Sequence, residues 1–380
     1  MVVTLAAWGG SLWLGGASSI AVGRRWAVGG LAGLCTLALA GVPSSVQPAV
    51  ALGMAARLWL TLLFYLFLVN YRSSVHLARS AFLCSLCAQA LVALSQVARQ
   101  SSLGLGAMGE PRLNPAARGI AVTVFGGHRW LRAYGLTAHP NLLGGLAVVT
   151  GLFLAATVTM RRRWLSVGCV GIVLVCAQSR GAGLAAGAGA ICLALIAGWR
   201  PPSVRGDAAR ILGPAAALCI GALAFFARFN LGNRLEVQSI RAHLEEVGQA
   251  LGLILHHPLL GVGANCYPLA LGRVVSLAKY APYGAPVVHN IFLLAGAELG
   301  LVGALILIVL FLGPIVCLHR LQVSQAEVGA AIGLLACAIL GLTDFSEWAS
   351  PGFRVVWISL LAIWAGDPLK LRFERHAHER

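Results

Sequence analysis

The chain has 380 residues, of which 59% are hydrophobic and only 11% are charged, and its formal net charge is +16. Soluble domains usually carry about 25% charged residues, so this composition excludes an ordinary soluble enzyme. Apolar runs of membrane-spanning length recur from end to end and are continuous rather than alternating, which argues against a membrane β-barrel. We therefore predict an all-α, polytopic transmembrane helical bundle.

The apolar runs predict about eleven spans, near residues 3–22, 26–42, 50–69, 76–96, 137–160, 164–178, 180–199, 211–227, 289–318, 326–342 and 353–366. We treat the chain as one integral membrane domain with two parts. Residues 1–136 hold the first four spans and a long loop, and residues 137–380 hold the remaining spans and a second long loop, 228–288. An N-terminal signal peptide is not expected, because the first apolar run lacks a basic flank.

Basic residues collect in the short loops between alternate spans, which the positive-inside rule places in the cytoplasm. These residues are Arg24, Arg25, Arg72, Arg79, Arg161, Arg162, Arg163, Arg200, Arg205, Arg210, Arg320 and those of the C-terminal tail. The pattern predicts an outward N-terminus and a cytoplasmic C-terminus.

The two long loops, 97–136 and 228–288, then face outward and are also rich in arginine. They contain Arg99, Arg112, Arg118, Arg129, Arg132, Arg228, Arg234, Arg241 and Arg273, against one lysine, Lys279. The planar guanidinium suits bidentate binding of phosphate or carboxylate, so the set indicates an outer face that holds an anion. Binding of anionic lipid head groups is the alternative for any single arginine, and nucleic acid is a poor candidate.

Residues 239–267 predict an amphipathic helix lying on the outer membrane surface. Ile240, Leu244, Val247, Leu251 and Ile254 form an apolar stripe. The polar side holds Arg241, which is a candidate anion ligand or the partner of Glu245 in a surface ion pair. Pro258, Gly261 and Gly263 then turn the chain back.

The span that follows this loop carries His289, Asn290 and Glu298 near its outer end. About 30 residues at ~1.5 Å each exceed a straight, perpendicular crossing, so His289 and Asn290 are expected to project above the hydrocarbon or line a polar cavity. Histidine there is a candidate proton acceptor, because its ordinary pKa is about 6.5. Glu298 lies about 180° around the helix from His289, so it should instead bind an arginine or backbone groups of a neighbouring segment.

Two further polar groups begin outward ends of helices. Arg180 follows Ser179 at the first turn of the seventh predicted span. A cation is unfavourable at a helix N-terminus, so an anion is expected nearby. The alternative is an arginine that snorkels to the membrane surface. His139 and Asn141 flank Pro140 at the start of the fifth predicted span, and proline is common at that position for structural reasons.

In this order, these motifs resemble the O-antigen ligase and polymerase superfamily of bacterial envelope glycan assembly. The resemblance covers roughly 137–318 and rests on H-P-N at 139–141, S-R-G-A at 179–182, H-P-L-x-G-x-G at 257–263 and H-N-x-x-L-x-x-x-x-E-x-G at 289–300. It implies a glycosyltransferase of the bacterial inner membrane, with a GT-C-like architecture, that needs no metal or other cofactor. Its partners would be a polyprenyl-diphosphate-linked glycan donor, a lipid A–core or other glycan acceptor, and the bilayer. The family is described with twelve spans and a cytoplasmic N-terminus, whereas this sequence predicts eleven spans and an outward N-terminus.

By resemblance, His289 is the essential histidine and Arg180 and Arg241 are the diphosphate-binding arginines. Asn290, Glu298, His139 and Asn141 are supporting residues, and His139 is the rival base. Arg118, Arg129 and Arg132 are lesser candidates in the first loop. Three alternatives stay open: a polymerase or a ligase for another acceptor within the family, a secondary transporter of an anionic solute, and a non-catalytic scaffold.

Overall fold

The computed structural model describes residues 2–14, 20–71, 74–198, 234–274, 287–318 and 323–366. Its helices are α1 (Val2–Leu14), α2 (Arg25–Ala40), α3 (Pro48–Asn70), α4 (Ser74–Arg99), α5 (Pro140–Thr157), α6 (Met160–Ala177), α7 (Arg180–Gly198), α8 (Arg234–His256), α9 (Tyr267–Val274), α10 (Ile291–Cys317), α11 (Gln325–Gly341), α12 (Ser346–Ala349) and α13 (Pro351–Ala365). Between α4 and α5 lie a short 3₁₀ turn, Gly106–Met108, and the strands β1 (Val122–Phe125) and β2 (His128–Leu131).

The protein is a helical, multi-pass membrane protein. Each predicted span overlaps one of these helices, except 211–227, which lies outside the described residues. The helices α3, α4, α5 and α10 are long and apolar enough to cross a bilayer, and α2, α11, α13 and residues 180–196 are shorter apolar helices. The total of eleven crossings stays a prediction.

The centre of the bundle is formed by α5 and α11, which are buried along almost their whole length. Small residues allow this close packing, as is usual between helices in membranes. At Gly333, for example, a methyl group would lie 2.6 Å from Leu360 Cδ1 and 3.4 Å from the carbonyl oxygen of Val149. The core therefore depends on backbones that approach each other closely.

One face of the bundle is closed by an ion pair between helix ends. Arg24, just before α2, lies 3.0 Å from Glu327 in the first turn of α11 and packs over the ring of Trp364 near the end of α13, 4.9 Å from its centroid. Glu327 also completes a capping box with Ser324. These three helix ends are the ones that the basic loops predict to be cytoplasmic, so the opposite ends of the same helices form the predicted outer face.

The long run predicted as one span, 289–318, is two helical segments rather than one. The helix begins at Ile291 and breaks at Gly300, whose φ of 78° and ψ of 174° are non-helical. The turn after α8 docks its backbone into this break: Val262 N–H donates to Ala297 O (2.8 Å), and Leu301 N–H donates to Pro258 O (2.9 Å). Glycine is required on both sides, because a Cβ at Gly300 or Gly261 would lie 2.3 Å from backbone atoms of the other segment.

A small β-hairpin in the first long loop was not expected from the sequence. The strands β1 and β2 pair antiparallel, with Thr123 opposite Trp130. They are joined by Gly126 and Gly127, which both have positive φ. Two positive-φ residues form the turn whose twist suits a two-residue hairpin. The described part of the chain is otherwise helix and irregular structure.

The predicted amphipathic helix corresponds to α8, which ends before Pro258. Its apolar stripe is not uniformly exposed: Leu244 and Leu251 are exposed, whereas Ile254 is buried and contacts α10 at Gly296. The helix therefore packs against the bundle with its C-terminal half and does not lie free on a membrane surface.

Candidate active-site cleft

A cleft of about 530 Å³ opens where α5, α6, α7, α10 and α11 have their ends, on the face opposite the Arg24–Glu327 ion pair. The polar side chains that line it are Arg132, Asn141, Gln178, Ser179, Arg180, His243, Glu246, His289, Asn290, Thr343 and Asp344. Five of the candidate residues from the sequence thus lie around one cavity: Arg132, Asn141, Arg180, His289 and Asn290. His139 and Glu298 do not line it.

His289 enters the cleft from the extended segment immediately before α10. Asn290 is the N-cap residue of that helix, and its Oδ1 accepts hydrogen bonds from the backbone N–H groups of Phe292 and Leu293, both at 3.0 Å. The cap fixes where the helix starts and leaves His289 outside the helical turn. The imidazole packs edge-on against Phe345, with ring centroids 5.4 Å apart, and is partly exposed.

The closest polar partner of His289 is Glu246 of α8, to which sequence reasoning gave no site role. Glu246 Oε2 lies 2.8 Å from His289 Nδ1 and 3.2 Å from Nδ1 of His243. It also accepts a hydrogen bond from the backbone N–H of His289 at 3.4 Å. A carboxylate that binds one ring nitrogen orients the imidazole and sets its tautomer.

Electrostatics strengthen this pairing. Burial raises the pKa of Glu246, but hydrogen bonds from His243 and His289 outweigh it and lower that pKa to about 2. Burial lowers the pKa of His289, whereas the hydrogen bond and charge of Glu246, with a contribution from Asp344, raise it above 6.5 overall. In the neutral ring, Nδ1–H donates to the carboxylate, which leaves the Nε2 lone pair to accept a proton.

Arg132 and Arg180 both line the cleft. Arg132 Nε donates to Ala177 O at 2.9 Å, and its Nη2 donates to Asn141 Oδ1 at 2.9 Å, so the side chain is held at the corner between α6 and α7. Burial, with a smaller contribution from the charge of Arg180, lowers the pKa of Arg132 to about 10. Arg132 is therefore cationic at neutral pH, and an anion bound beside it would offset the effect of the Arg180 charge.

The N-terminus of α7 adds to this positive region. Gln178 ends α6 in a left-handed conformation and Arg180 begins α7, so the chain turns within two residues. Ser179 Oγ accepts a weak hydrogen bond from Ala182 N–H at 3.4 Å. Backbone N–H groups at a helix N-terminus favour bound phosphate, and the first turn of α7 holds no acidic residue.

The first long loop therefore contributes to the cleft through Arg132. It is fastened there by two further contacts: Ala133 N–H donates to Cys176 O at 2.8 Å, and the hydroxyl of Thr123 in the hairpin hydrogen-bonds to Gln178. The number of arginines indicated that this loop binds an anion, but the sequence gave no reason to prefer Arg132 over Arg118 or Arg129. Arg129 instead donates to the carbonyl of Pro115 within the loop.

His139 has a structural position at the start of α5. Its Nδ1 accepts a hydrogen bond from Asn141 N–H at 3.2 Å, and its ring packs edge-on against Tyr134. Burial and the charge of Arg132 lower its pKa to about 4. It is a capping residue, and Asn141 orients Arg132.

Glu298 lies in the core, 2% exposed, beside the helix break at Gly300. Its carboxylate accepts hydrogen bonds from Trp348 Nε1 at 2.9 Å and from Tyr267 N–H at 3.4 Å. Glu298 therefore joins α9, α10 and α12, and it binds the backbone of a neighbouring segment, which was one of its two expected roles. The other expected role, an ion pair with an arginine, is not found among the residues that the structure describes.

Arg241 lies on α8, two residues before His243 and five before Glu246. Its side chain is outside the described residues, so its binding role stays a prediction. Asp344, which the sequence did not indicate, follows α11 at the cleft. One of its oxygens accepts hydrogen bonds from the backbone N–H groups of Phe345 and Ser346 and from the Ser346 hydroxyl.

His243, Glu246 and His289 also form a group whose ligand atoms lie within 4.8 Å of one another, which is the geometry of a potential metal site.

Comparison with protein families gives the decisive observation: residues 165–308 match the family described as O-antigen ligase. Over this part, the match supports the resemblance of the chain to the O-antigen ligase and polymerase superfamily. The matched O-antigen ligase region contains Arg180, Arg241, Glu246 and His289, whereas Arg132 and Asp344 complete the cleft from outside it. A search of curated proteins gave no match to the chain.

Proposed function

We propose that this membrane protein of the O-antigen ligase and polymerase superfamily transfers a glycan from a polyprenyl diphosphate to an acceptor hydroxyl, at the extracytoplasmic face of the bacterial inner membrane. One observation carries the proposal: the His289–Glu246 pair lines the same cleft as Arg132 and Arg180. A base beside a cationic site for the leaving group is what inverting transfer from a glycosyl diphosphate requires.

In the proposed reaction, the acceptor oxygen attacks the anomeric carbon while the bond from that carbon to the diphosphate oxygen breaks. The leaving polyprenyl diphosphate keeps the bonding electron pair, and its growing negative charge is stabilised by Arg132, Arg180 and the N-terminus of α7. The acceptor proton passes to Nε2 of His289, and the imidazolium so formed is stabilised through Nδ1–H by Glu246. Arg241 is a further candidate ligand for the diphosphate.

No step in this scheme requires a metal, because fixed guanidinium groups supply the positive charge that a divalent cation gives in many diphosphate enzymes. The location of the cleft also favours an enzyme over a transporter. Transporter sites usually lie near the bilayer midplane between broken helices, whereas this cleft is formed at helix ends.

The test is a transfer assay with purified protein, a polyprenyl diphosphate oligosaccharide and lipid A–core. His289→Ala is expected to lower kcat by about 10²–10⁴-fold, because that is the usual contribution of a general base. His139→Ala serves as a matched control and is expected to retain transfer if its role is only capping. Full activity of the His289→Ala protein would contradict the assigned role.

The acceptor separates ligase from polymerase. Glycan transferred to lipid A–core indicates a ligase, and glycan transferred to a second polyprenyl-linked chain indicates a polymerase. Uptake of a labelled anion into liposomes, without transfer to either acceptor, would favour the transporter.

A further inference from the structure

The group formed by His243, Glu246 and His289 has a second chemical capability besides proton transfer. Two of its members come from successive turns of α8, and the third comes from the segment before α10. Both Nδ1 atoms point at one carboxylate oxygen, at 3.2 Å from His243 and 2.8 Å from His289. Such convergence of donors from two elements resembles a chelating site more than a chance surface cluster.

The donors match the preference of zinc. Two imidazole nitrogens and one carboxylate oxygen, with a fourth position open to water, are a known Zn²⁺ ligand set. Ligands about 2.0–2.2 Å from a tetrahedral Zn²⁺ lie about 3.3–3.5 Å apart. The two separations from Glu246, 2.8 and 3.2 Å, are slightly shorter, and all three ligand atoms lie within 4.8 Å of one another. A side-chain movement of about 1 Å, for which the half-exposed His243 has room, would admit the ion.

We propose that His243, Glu246 and His289 bind Zn²⁺ or a similar divalent transition metal, and that this binding inhibits the enzyme. The ion takes the lone pair of His289 Nδ1, so the proton of the neutral ring must move to Nε2. Nε2 then donates a hydrogen bond and cannot accept the proton of an acceptor hydroxyl. The inhibition rests on the proposed function, whereas the metal binding does not.

Metal binding is tested by calorimetric titration of ZnCl₂ into the full-length protein, purified without a histidine tag. The wild type is expected to bind one more ion than His243→Ala, or to bind it at least about 100-fold more tightly, since even outer-shell substitutions cost about 10–100-fold in affinity. His256→Ala is the matched control on the same helix, with its Nδ1 directed at Gly252 O, and is expected to bind like the wild type. MgCl₂ should give no binding at this site, because Mg²⁺ prefers oxygen ligands.

Equal zinc binding by the wild type and His243→Ala would overturn the proposed site, as would no binding by the wild type. If His243→Ala elutes as aggregate in size-exclusion chromatography, His243→Gln replaces it and the same difference is required.

Inhibition is measured separately in the transfer assay. Zn²⁺ is expected to lower the rate with an inhibition constant equal to its dissociation constant, and His243→Ala should raise both by the same factor. Zinc that binds through these residues without inhibiting would overturn the inhibitory part of the proposal. If the wild type shows no transfer activity at all, the proposed function fails while the calorimetric result still decides the metal site.

Discussion

Glu246→Gln tests whether the carboxylate positions His289 for proton transfer. The substitution keeps the size of the side chain but removes the charge that lies 2.8 Å from His289 Nδ1. An amide can also donate to Nδ1 and so favour the tautomer whose Nε2 carries the proton. We expect kcat to fall by about 10²–10³-fold, which corresponds to about 2.7–4 kcal/mol of transition-state stabilisation, with little change in KM for the donor.

The pH dependence gives this experiment a readout that a purely structural role would not produce. Because Glu246 raises the pKa of His289, the base form of His289 in the wild type is populated only above a pKa that exceeds 6.5, and activity falls as the pH drops through it. Removing the charge lowers that pKa, so the acidic limb of kcat should move to lower pH in Glu246→Gln.

Glu245→Gln, the neighbouring residue on α8, is the control for loss of one negative charge from the helix, and its profile should match that of the wild type. A Glu246→Gln enzyme with wild-type kcat and an unshifted acidic limb would refute the positioning role.

Two other predictions address the anion site and the fold. Arg180→Lys should raise KM for the polyprenyl diphosphate donor by about 10-fold or more, because a lysine cannot bind phosphate in a bidentate manner. Titration of the donor in the transfer assay measures this change. Arg129→Lys, in the first long loop, is the control. Gly300→Ala should destabilise the protein by at least about 1–3 kcal/mol, because its backbone conformation is one that essentially only glycine adopts and a Cβ would lie 2.3 Å from Leu259 O. Thermal unfolding in detergent should show a lower Tm for Gly300→Ala than for Gly252→Ala, where a Cβ meets nothing within 4 Å; equal Tm values would contradict this account.

Sequence reasoning performed best where one strong physical effect acts alone. The cost of burying backbone in lipid requires continuous apolar helices, so the runs at 50–69 and 326–342 predicted α3 and α11 within a few residues. The break at Gly300 could not be predicted in the same way. Glycine is common in membrane helices, and only the docked turn at 258–263 shows why the chain leaves the helix there.

For the site, motif order indicated Arg180 and His289, which line one cleft, but it did not indicate Glu246 or Asp344. Glu246 belongs to no motif, and a glutamate on an amphipathic helix is usually a solvated side chain. Its place in the site depends on its contact with His289, which lies 43 residues later in the sequence. Arg132 was one of several arginines in the first long loop, and nothing in the sequence distinguished it from the others. Both cases require tertiary contacts that periodicity does not encode, and the catalytic and binding roles themselves stay predictions.

The docking of residues 258–263 into the break of α10 has a consequence for chemistry beyond local packing. Glu246 precedes this junction in the chain, and His289 lies just before α10, the helix that the junction interrupts. The junction therefore constrains the distance between Glu246 and His289. Gly261 and Gly300, which permit the close backbone contacts of the junction, thus bear on the geometry of the proposed proton transfer without taking part in it. Substituting either glycine should therefore disturb the spacing of Glu246 and His289 as well as destabilise the fold.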